Sequence, residues 1–317
     1  MNPDIERLHP YPFQKLAGLL DGIEPPGVEP IPLSIGEPRH PAPDFVLDTL
    51  ASSLNRVSQY PGTRGLPELR EAIAGWARRR FGLATGAPDP ETQVLPVNGT
   101  REALFAFAQA ALAPGANPIV LSPNPFYQIY EGAALLAGAS PVFVNATADG
   151  GGLPDFDSIS DETWDDCQLL YVCSPGNPNG AVMGHSDYEF LLNKADRHDF
   201  VIAADECYSE IYPDEEQPPT GLLEACHALG RSDFSRCIVF HSLSKRSNLP
   251  GLRSGFVAGD AERLATFLRY RTYHGCAMPI HHQLASIEAW NDETHVVANR
   301  AAYRRKFEAV LPILEPF

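Results

Sequence analysis

Two serines, a lysine and an arginine lie close together in Ser242-Leu243-Ser244-Lys245 and, eight residues on, Arg253. They follow the apolar run Ile238-Val239-Phe240, which reads as a buried strand. Hydroxyls and a guanidinium suit a phosphate. A lysine amine condenses with an aldehyde. The ligand that uses all of these groups is a phosphate monoester that also carries an aldehyde. Taken alone, the stretch also fits a surface loop with a solvated lysine, so its meaning depends on the rest of the chain.

Four other stretches can complete such a site. Asn98-Gly99-Thr100-Arg101-Glu102 stands where a strand meets a helix. Free N–H groups and the positive end of the helix dipole attract an anion there, although the same residues make an ordinary turn. Pro123-Asn124-Pro125-Phe126-Tyr127 holds an aromatic in a proline-bounded loop, able to stack on a flat heteroaromatic ring or to fill a core. Asn177, within Ser174-Pro175-Gly176-Asn177-Pro178-Asn179-Gly180, can donate to a phenolate oxygen; Asn-Pro and Asn-Gly are also plain turn dipeptides. Asp205 ends the apolar run Phe200–Ala204, where a carboxylate is costly without a partner. A protonated ring nitrogen is a suitable partner, and Tyr208 can reach a ring oxygen. The plainer alternative is an Asp that caps the next helix.

The elements that must position these residues are strands alternating with helices. Strands are expected at Gln93–Val97, Pro118–Ser122, Pro141–Val144, Leu169–Cys173, Phe200–Ala204, Cys237–His241 and Gly255–Ala258. Helices are expected at Phe13–Leu20, Asp44–Arg56, Leu66–Phe81, Glu102–Leu112, Tyr127–Ala137, His185–Arg197, Ala261–Tyr270, Pro279–Trp290 and Asp292–Val310. Near-continuous apolar strands of this kind form a largely parallel sheet covered on both faces. All five candidate stretches fall at carboxyl ends of strands, where such sheets bind ligands. The segment Met1–Pro43 reads as an extended arm broken by prolines.

The 317 residues are enough for one large α/β domain or two domains. A formal net charge of −16 argues against nucleic acid and against anionic membrane surfaces. No signal-peptide pattern or long apolar run occurs. The six cysteines form no CxxC pair and read as free thiols of a reducing cytoplasm. His281-His282 completes no zinc spacing, so no metal is expected.

In order and spacing, the glycine turn, Tyr127, the Asn177-Pro178 loop, Asp205-x-x-Tyr208, Ser242-x-Ser244-Lys245 and Arg253 resemble the class I/II aminotransferases of fold-type I. The likeness covers essentially the whole chain. It is closer still to the bacterial succinyldiaminopimelate aminotransferases in His9-Pro10-Tyr11-Pro12-Phe13, Gly36-Glu37-Pro38-Arg39-His40, Thr100–Phe105, Asn124–Gly132, Ser242–Asn248 and Tyr270–Gly275. Asn179 stands where that family usually has Thr.

The resemblance implies a mostly parallel seven-stranded sheet covered by helices, with a second, smaller α/β domain. It divides the chain into an arm with part of the small domain (1–43), a large cofactor domain (44–285) and a linking helix (286–317). It implies pyridoxal 5'-phosphate carried on Lys245, with catalysis by Lys245, Asp205 and Tyr208. Gly99, Thr100, Arg101, Ser242, Ser244 and Arg253 would hold the phosphate, with Tyr60 supplied by the second subunit of a homodimer. Tyr127 would stack on the ring, and Asn177 and Tyr208 would act on its oxygen.

Gly36 and Asn177 would face the substrate, and Arg39 or Arg271 would read a distal carboxylate. The reaction implied is transamination between N-succinyl-L,L-2,6-diaminopimelate and 2-oxoglutarate, in lysine and cell-wall precursor synthesis. Members of the family run longer than this chain. The portion beyond Phe317 is expected to carry most of the small domain and the arginine for the α-carboxylate. Rival readings are another substrate, a β-lyase or decarboxylase on the same fold, or a non-catalytic regulatory module.

Overall fold

Apolar side chains alternate along the central strands, and both sides of the alternation are buried. Leu169 and Tyr171 join Val201, Ala203, Ile238 and Phe240 in one core. Their neighbours Leu170, Val172, Ile202, Ala204, Cys237 and Val239 join a second. With a period of two, the two cores must lie on opposite faces of one sheet. Each fully buried aliphatic or aromatic side chain contributes about 1.5–3 kcal/mol, so the sheet is held from both sides.

The computed structural model describes residues 2–24, 27–29, 31, 35–113 and 117–316. Its strands are β1 (Val94–Val97), β2 (Ile119–Asn124), β3 (Ser140–Asn145), β4 (Cys167–Cys173), β5 (Val201–Asp205), β6 (Cys237–Ser242) and β7 (Gly255–Gly259). They form one seven-stranded sheet in the order β1-β7-β6-β5-β4-β2-β3. The pairs from β3 to β6 are parallel. β7 runs antiparallel to both β6 and β1. All seven strands lie within a few residues of the positions expected from the sequence.

The helices are α1 (Pro12–Leu20), α2 (Asp44–Ser52), α3 (Pro67–Phe81), α4 (Thr100–Ala111), α5 (Gln128–Leu136), α6 (Asp161–Asp166), α7 (His185–His198), α8 (Leu222–Ala228), α9 (Leu243–Arg246), α10 (Ala261–His274), α11 (Ile280–Asn291) and α12 (Thr294–Leu314). Apolar residues of α4, α5 and α10 cover one face of the sheet. Those of α3, α7, α8 and α11 cover the other. α6, α8 and the single turn α9 were not expected. The helix expected to run to Arg56 ends at Ser52, and a 3-10 turn follows over Leu54–Ser58. Residues 285 and 286, where the sequence reading divides the chain, both lie inside α11. Pro25, Pro26, Pro30 and Pro32 of the proline-rich arm lie outside the described residues.

Candidate active site

β7 decides the layout of the site. Because it runs against β6, the chain leaves the sheet at Ser242, makes α9, and re-enters at Gly255 at the same edge. Lys245 and Arg253 therefore both stand beside the carboxyl ends of the parallel strands. The turn after β1 and the ends of β4 and β5 open onto the same place. A cleft of about 890 Å³ results, lined by Gly36, Thr100, Arg101, Tyr127, Asn177, Asp205, Cys207, Tyr208, Ser242, Ser244, Lys245 and Arg253 among others.

At one end of the cleft, Gly99 takes φ +82° and precedes α4 without any side-chain cap. The first-turn N–H groups of α4 are left open to an anion. A Cβ on Gly99 would stand 2.3 Å from Nη2 of Arg253, so the missing side chain makes room for the guanidinium. Arg253 donates to the carbonyls of Pro250 (3.0 Å) and Asn98 (3.4 Å), which aims it across the turn. Ser242 Oγ caps α9 by accepting from the Ser244 N–H (3.1 Å) and donates to Ser244 Oγ (2.9 Å).

Asp205 stands in the floor of the cleft at 6% exposure. Its carboxylate accepts from the Tyr130 hydroxyl (2.8 Å) and the Cys207 N–H (3.3 Å). Among the described residues it forms no salt bridge. Burial pushes its carboxyl above the ordinary value, opposed by the bonds from Cys207 and Tyr130 and by the field of His241. Cys207 Sγ lies 2.9 Å from Thr100 Oγ1, joining the floor to the anion turn. The Tyr127 hydroxyl accepts from Arg101 Nε at 2.6 Å, and Arg101 also donates to Tyr11 (3.3 Å). Arg101, expected on the phosphate, is thus held between two tyrosines on the cleft wall.

Lys245 is partly buried. Its amine donates to the Gly36 carbonyl and lies 5.7 Å from the centre of the Tyr208 ring. Burial lowers its affinity for a proton, opposed by Cys207 and Glu37. The same burial raises the Tyr208 hydroxyl.

Three expected residues lie elsewhere. Tyr60 is fully exposed and does not line the cleft. Arg39 is exposed and likewise absent from the lining. Arg271 corrects the sequence reading. It is 0% exposed, and its Nη1 donates to both oxygens of Glu102 (2.9 Å each), with Nη2 on the Cys276 carbonyl (2.5 Å). A guanidinium sealed against a carboxylate cannot also meet a substrate. Glu102 Oε1 further accepts from the Asn98 N–H (3.0 Å), so Arg271 braces the anion turn from behind. Glu102, His274 and Cys276 offer metal-type ligand atoms within 4.8 Å of one another, but both Glu102 oxygens are engaged by Arg271. Tyr130 and Cys207 were missed as members of the site. The only sequence signal was their closeness to Tyr127 and Asp205.

The comparisons agree with this fold. A crystal structure of an aminotransferase from Neisseria meningitidis superposes with a TM-score of 0.95 at 52% identity, covering 100% of this chain and 80% of that one. A probable N-succinyldiaminopimelate aminotransferase from Thermus thermophilus gives 0.80 at 28% identity, covering 91% and 75%. The LL-diaminopimelate aminotransferase of Maridesulfovibrio salexigens is 34% identical over 311 residues, 97% of this chain and 78% of that protein. The family model for aminotransferase class I and II matches residues 28–315. With that match, a seven-stranded mixed sheet of fold-type I, and Lys245, the buried Asp205 and the Gly99 turn meeting at the carboxyl ends of its parallel strands, the chain belongs to the class I and II aminotransferases.

Proposed function

We propose that the chain is a pyridoxal-phosphate-dependent aminotransferase acting on N-succinyl-L,L-2,6-diaminopimelate with 2-oxoglutarate. One observation carries the cofactor reading: a buried carboxylate with no salt-bridge partner among the described residues faces the same cleft as Lys245 and a set of phosphate donors. The donor set fits the group. Hydroxyls of Thr100, Ser242 and Ser244 and the Arg253 guanidinium suit a phosphate, the space left by Gly99 admits that guanidinium, and Asp205 suits a ring N–H⁺. When bound, pyridoxal phosphate supplies an aldehyde that takes up an amino group and a ring that withdraws electrons.

The chain's own residues do the rest. Lys245, its amine made easier to deprotonate by burial, takes the proton from the substrate α-carbon and later returns it. Asp205 would hold a proton on the ring nitrogen. Asn177 and Tyr208 would donate to the ring oxygen, and Tyr127 would pack on the ring face. Arg101, with the donors above, adds positive charge for the phosphate. Gly36 borders the substrate side. The exposed Tyr60 supports a homodimer in which a second copy uses it. The six free thiols support a reducing, cytoplasmic setting. Among the described residues no helix is long and apolar enough to cross a membrane.

The succinylated substrate is supported by the stretches from His9 to Gly275 noted in the sequence and by the name of the Thermus structure. Unmodified LL-diaminopimelate is the second reading, supported by the names of curated relatives. Steady-state assays of the purified chain with 2-oxoglutarate and each amino donor separate them. A kcat/KM tenfold or more higher for the succinylated donor is expected. Preference for the free diamine overturns the finer reading, and β-elimination or decarboxylation without amino transfer overturns both.

A further inference from the structure

Outside the cleft, one buried amide touches both the backbone of the reacting lysine and the arm that faces its amine. Asn299, on α12, is 5% exposed. Its Nδ2 donates to the carbonyls of Lys245 and Arg246, at 3.2 Å each. Its Oδ1 accepts from Asn248 Nδ2 (2.9 Å) and lies 2.8 Å from His40 Nδ1. All four hydrogen-bonding positions of the amide are used. The opposite orientation would set its oxygen against two carbonyls, so the network fixes which way it points.

The two carbonyls need an outside donor. They end α9, a turn of four residues, Leu243–Arg246. So short a helix barely stabilises itself, and its last carbonyls have no partner within it. Asn299 supplies both donors from a different helix. Through His40 the same amide reaches the arm, four residues from Gly36, whose carbonyl accepts from the Lys245 amine. Lys245 is therefore gripped at its backbone and met at its tip by groups that converge on one side chain.

We propose that Asn299 is a positioning residue for Lys245: it caps the lysine turn from α12 and ties it through His40 to the arm carrying Gly36. The proposal rests on the reading of Lys245 as the reacting lysine. Loss of the amide lets α9 fray and the lysine amine wander, which slows proton transfer more than it weakens substrate binding.

The test uses the full chain loaded with pyridoxal phosphate, as wild type, Asn299→Ala and Asn299→Asp. The Asp variant is nearly isosteric. It keeps acceptors for His40 and Asn248 and replaces the two donors with an oxygen facing the Lys245 and Arg246 carbonyls, so it decides the matter where the Ala variant does not fold. Borohydride labelling of Lys245 and full cofactor occupancy are expected in every soluble form. In the variants kcat per bound cofactor should fall roughly tenfold or more, with KM for the amino donor within about twofold. The pH midpoint of the visible absorbance of the bound cofactor should also move. Variants with lowered Tm or occupancy but wild-type kcat per bound cofactor and an unmoved midpoint overturn the proposal. Absence of label at Lys245 in the wild type overturns the reading beneath it, a different and separately visible failure.

Discussion

The guanidinium of Arg253 occupies the space that a side chain on Gly99 would need. A Cβ built there meets Nη2 at 2.3 Å and Cζ at 2.9 Å, and Gly99 also holds φ +82°. Gly99→Ala must strain the turn or displace the arginine, at a cost of about 1–3 kcal/mol. We expect the Kd for pyridoxal phosphate to rise about tenfold or more, measured by absorbance titration. An unchanged Kd would mean that Arg253 does not hold the phosphate.

Lys245 should carry the cofactor. Lys245→Ala is expected to abolish amino transfer and to leave no borohydride label. In the wild type the neutral amine is the reactive form, and burial favours it. Covalent capture of the cofactor should therefore rise with pH and level off below the ordinary lysine value of about 10.4. A rate that keeps climbing through that value would contradict the burial effect.

For Asp205 the signs for stability and for activity are opposite. Its carboxyl is raised by burial in the cofactor-free protein. A raised carboxyl costs stability once pH exceeds its unfolded value, and the full cost is present above the folded value. Asp205→Asn, which keeps an acceptor for the Tyr130 hydroxyl, should therefore make the cofactor-free protein more stable than wild type at high pH. The same change should reduce kcat by about a hundredfold, through loss of the ring nitrogen's partner. Thermal melts with and without cofactor, together with single-turnover rates, test both halves. A cofactor-free variant that melts lower would contradict the first.

Arg271→Met leaves Glu102 without its ion partner and loosens the carboxylate that accepts from the Asn98 N–H. Glu102 is part-exposed, so losing this charged, hydrogen-bonded partner costs about 1.5–3 kcal/mol, and Tm should fall and cofactor affinity with it. The ratio of kcat/KM between succinylated and short donors should stay within about twofold. A selective loss on the succinylated donor would restore the substrate role that the geometry removes.

The strands and the glycine turn into α4 were legible because their signals are local. Apolar runs of Ile238-Val239-Phe240 type and glycine next to a helix start carry their meaning within a few residues. What stayed hidden depends on partners far away in the chain. Arg271 and a surface arginine look alike in sequence, and only Glu102, 169 residues away, reveals the difference. Tyr130 reaches Asp205 across 75 residues, and Asn299 reaches Lys245 across 54. The short α8 escaped notice because its start is held from outside, by Glu206 accepting from the Leu222 N–H at 2.7 Å. Within its own seven residues the start is marked only by Glu224, which accepts from the Gly221 N–H at 3.4 Å, and seven residues are too few to show a period.

The reversal at β7 has a consequence for exchange with solvent. Segment 243–254 begins with the turn that carries Lys245, ends with Arg253, joins the sheet at Ser242 and Gly255, and is held between them by Asn299 and by the Asn98 carbonyl. If it opens, it releases both ends of a bound ligand together. Binding at either end then raises the free energy of the same opening. Amide hydrogens throughout this stretch should gain protection as one block when pyridoxal phosphate binds, including those that never touch it.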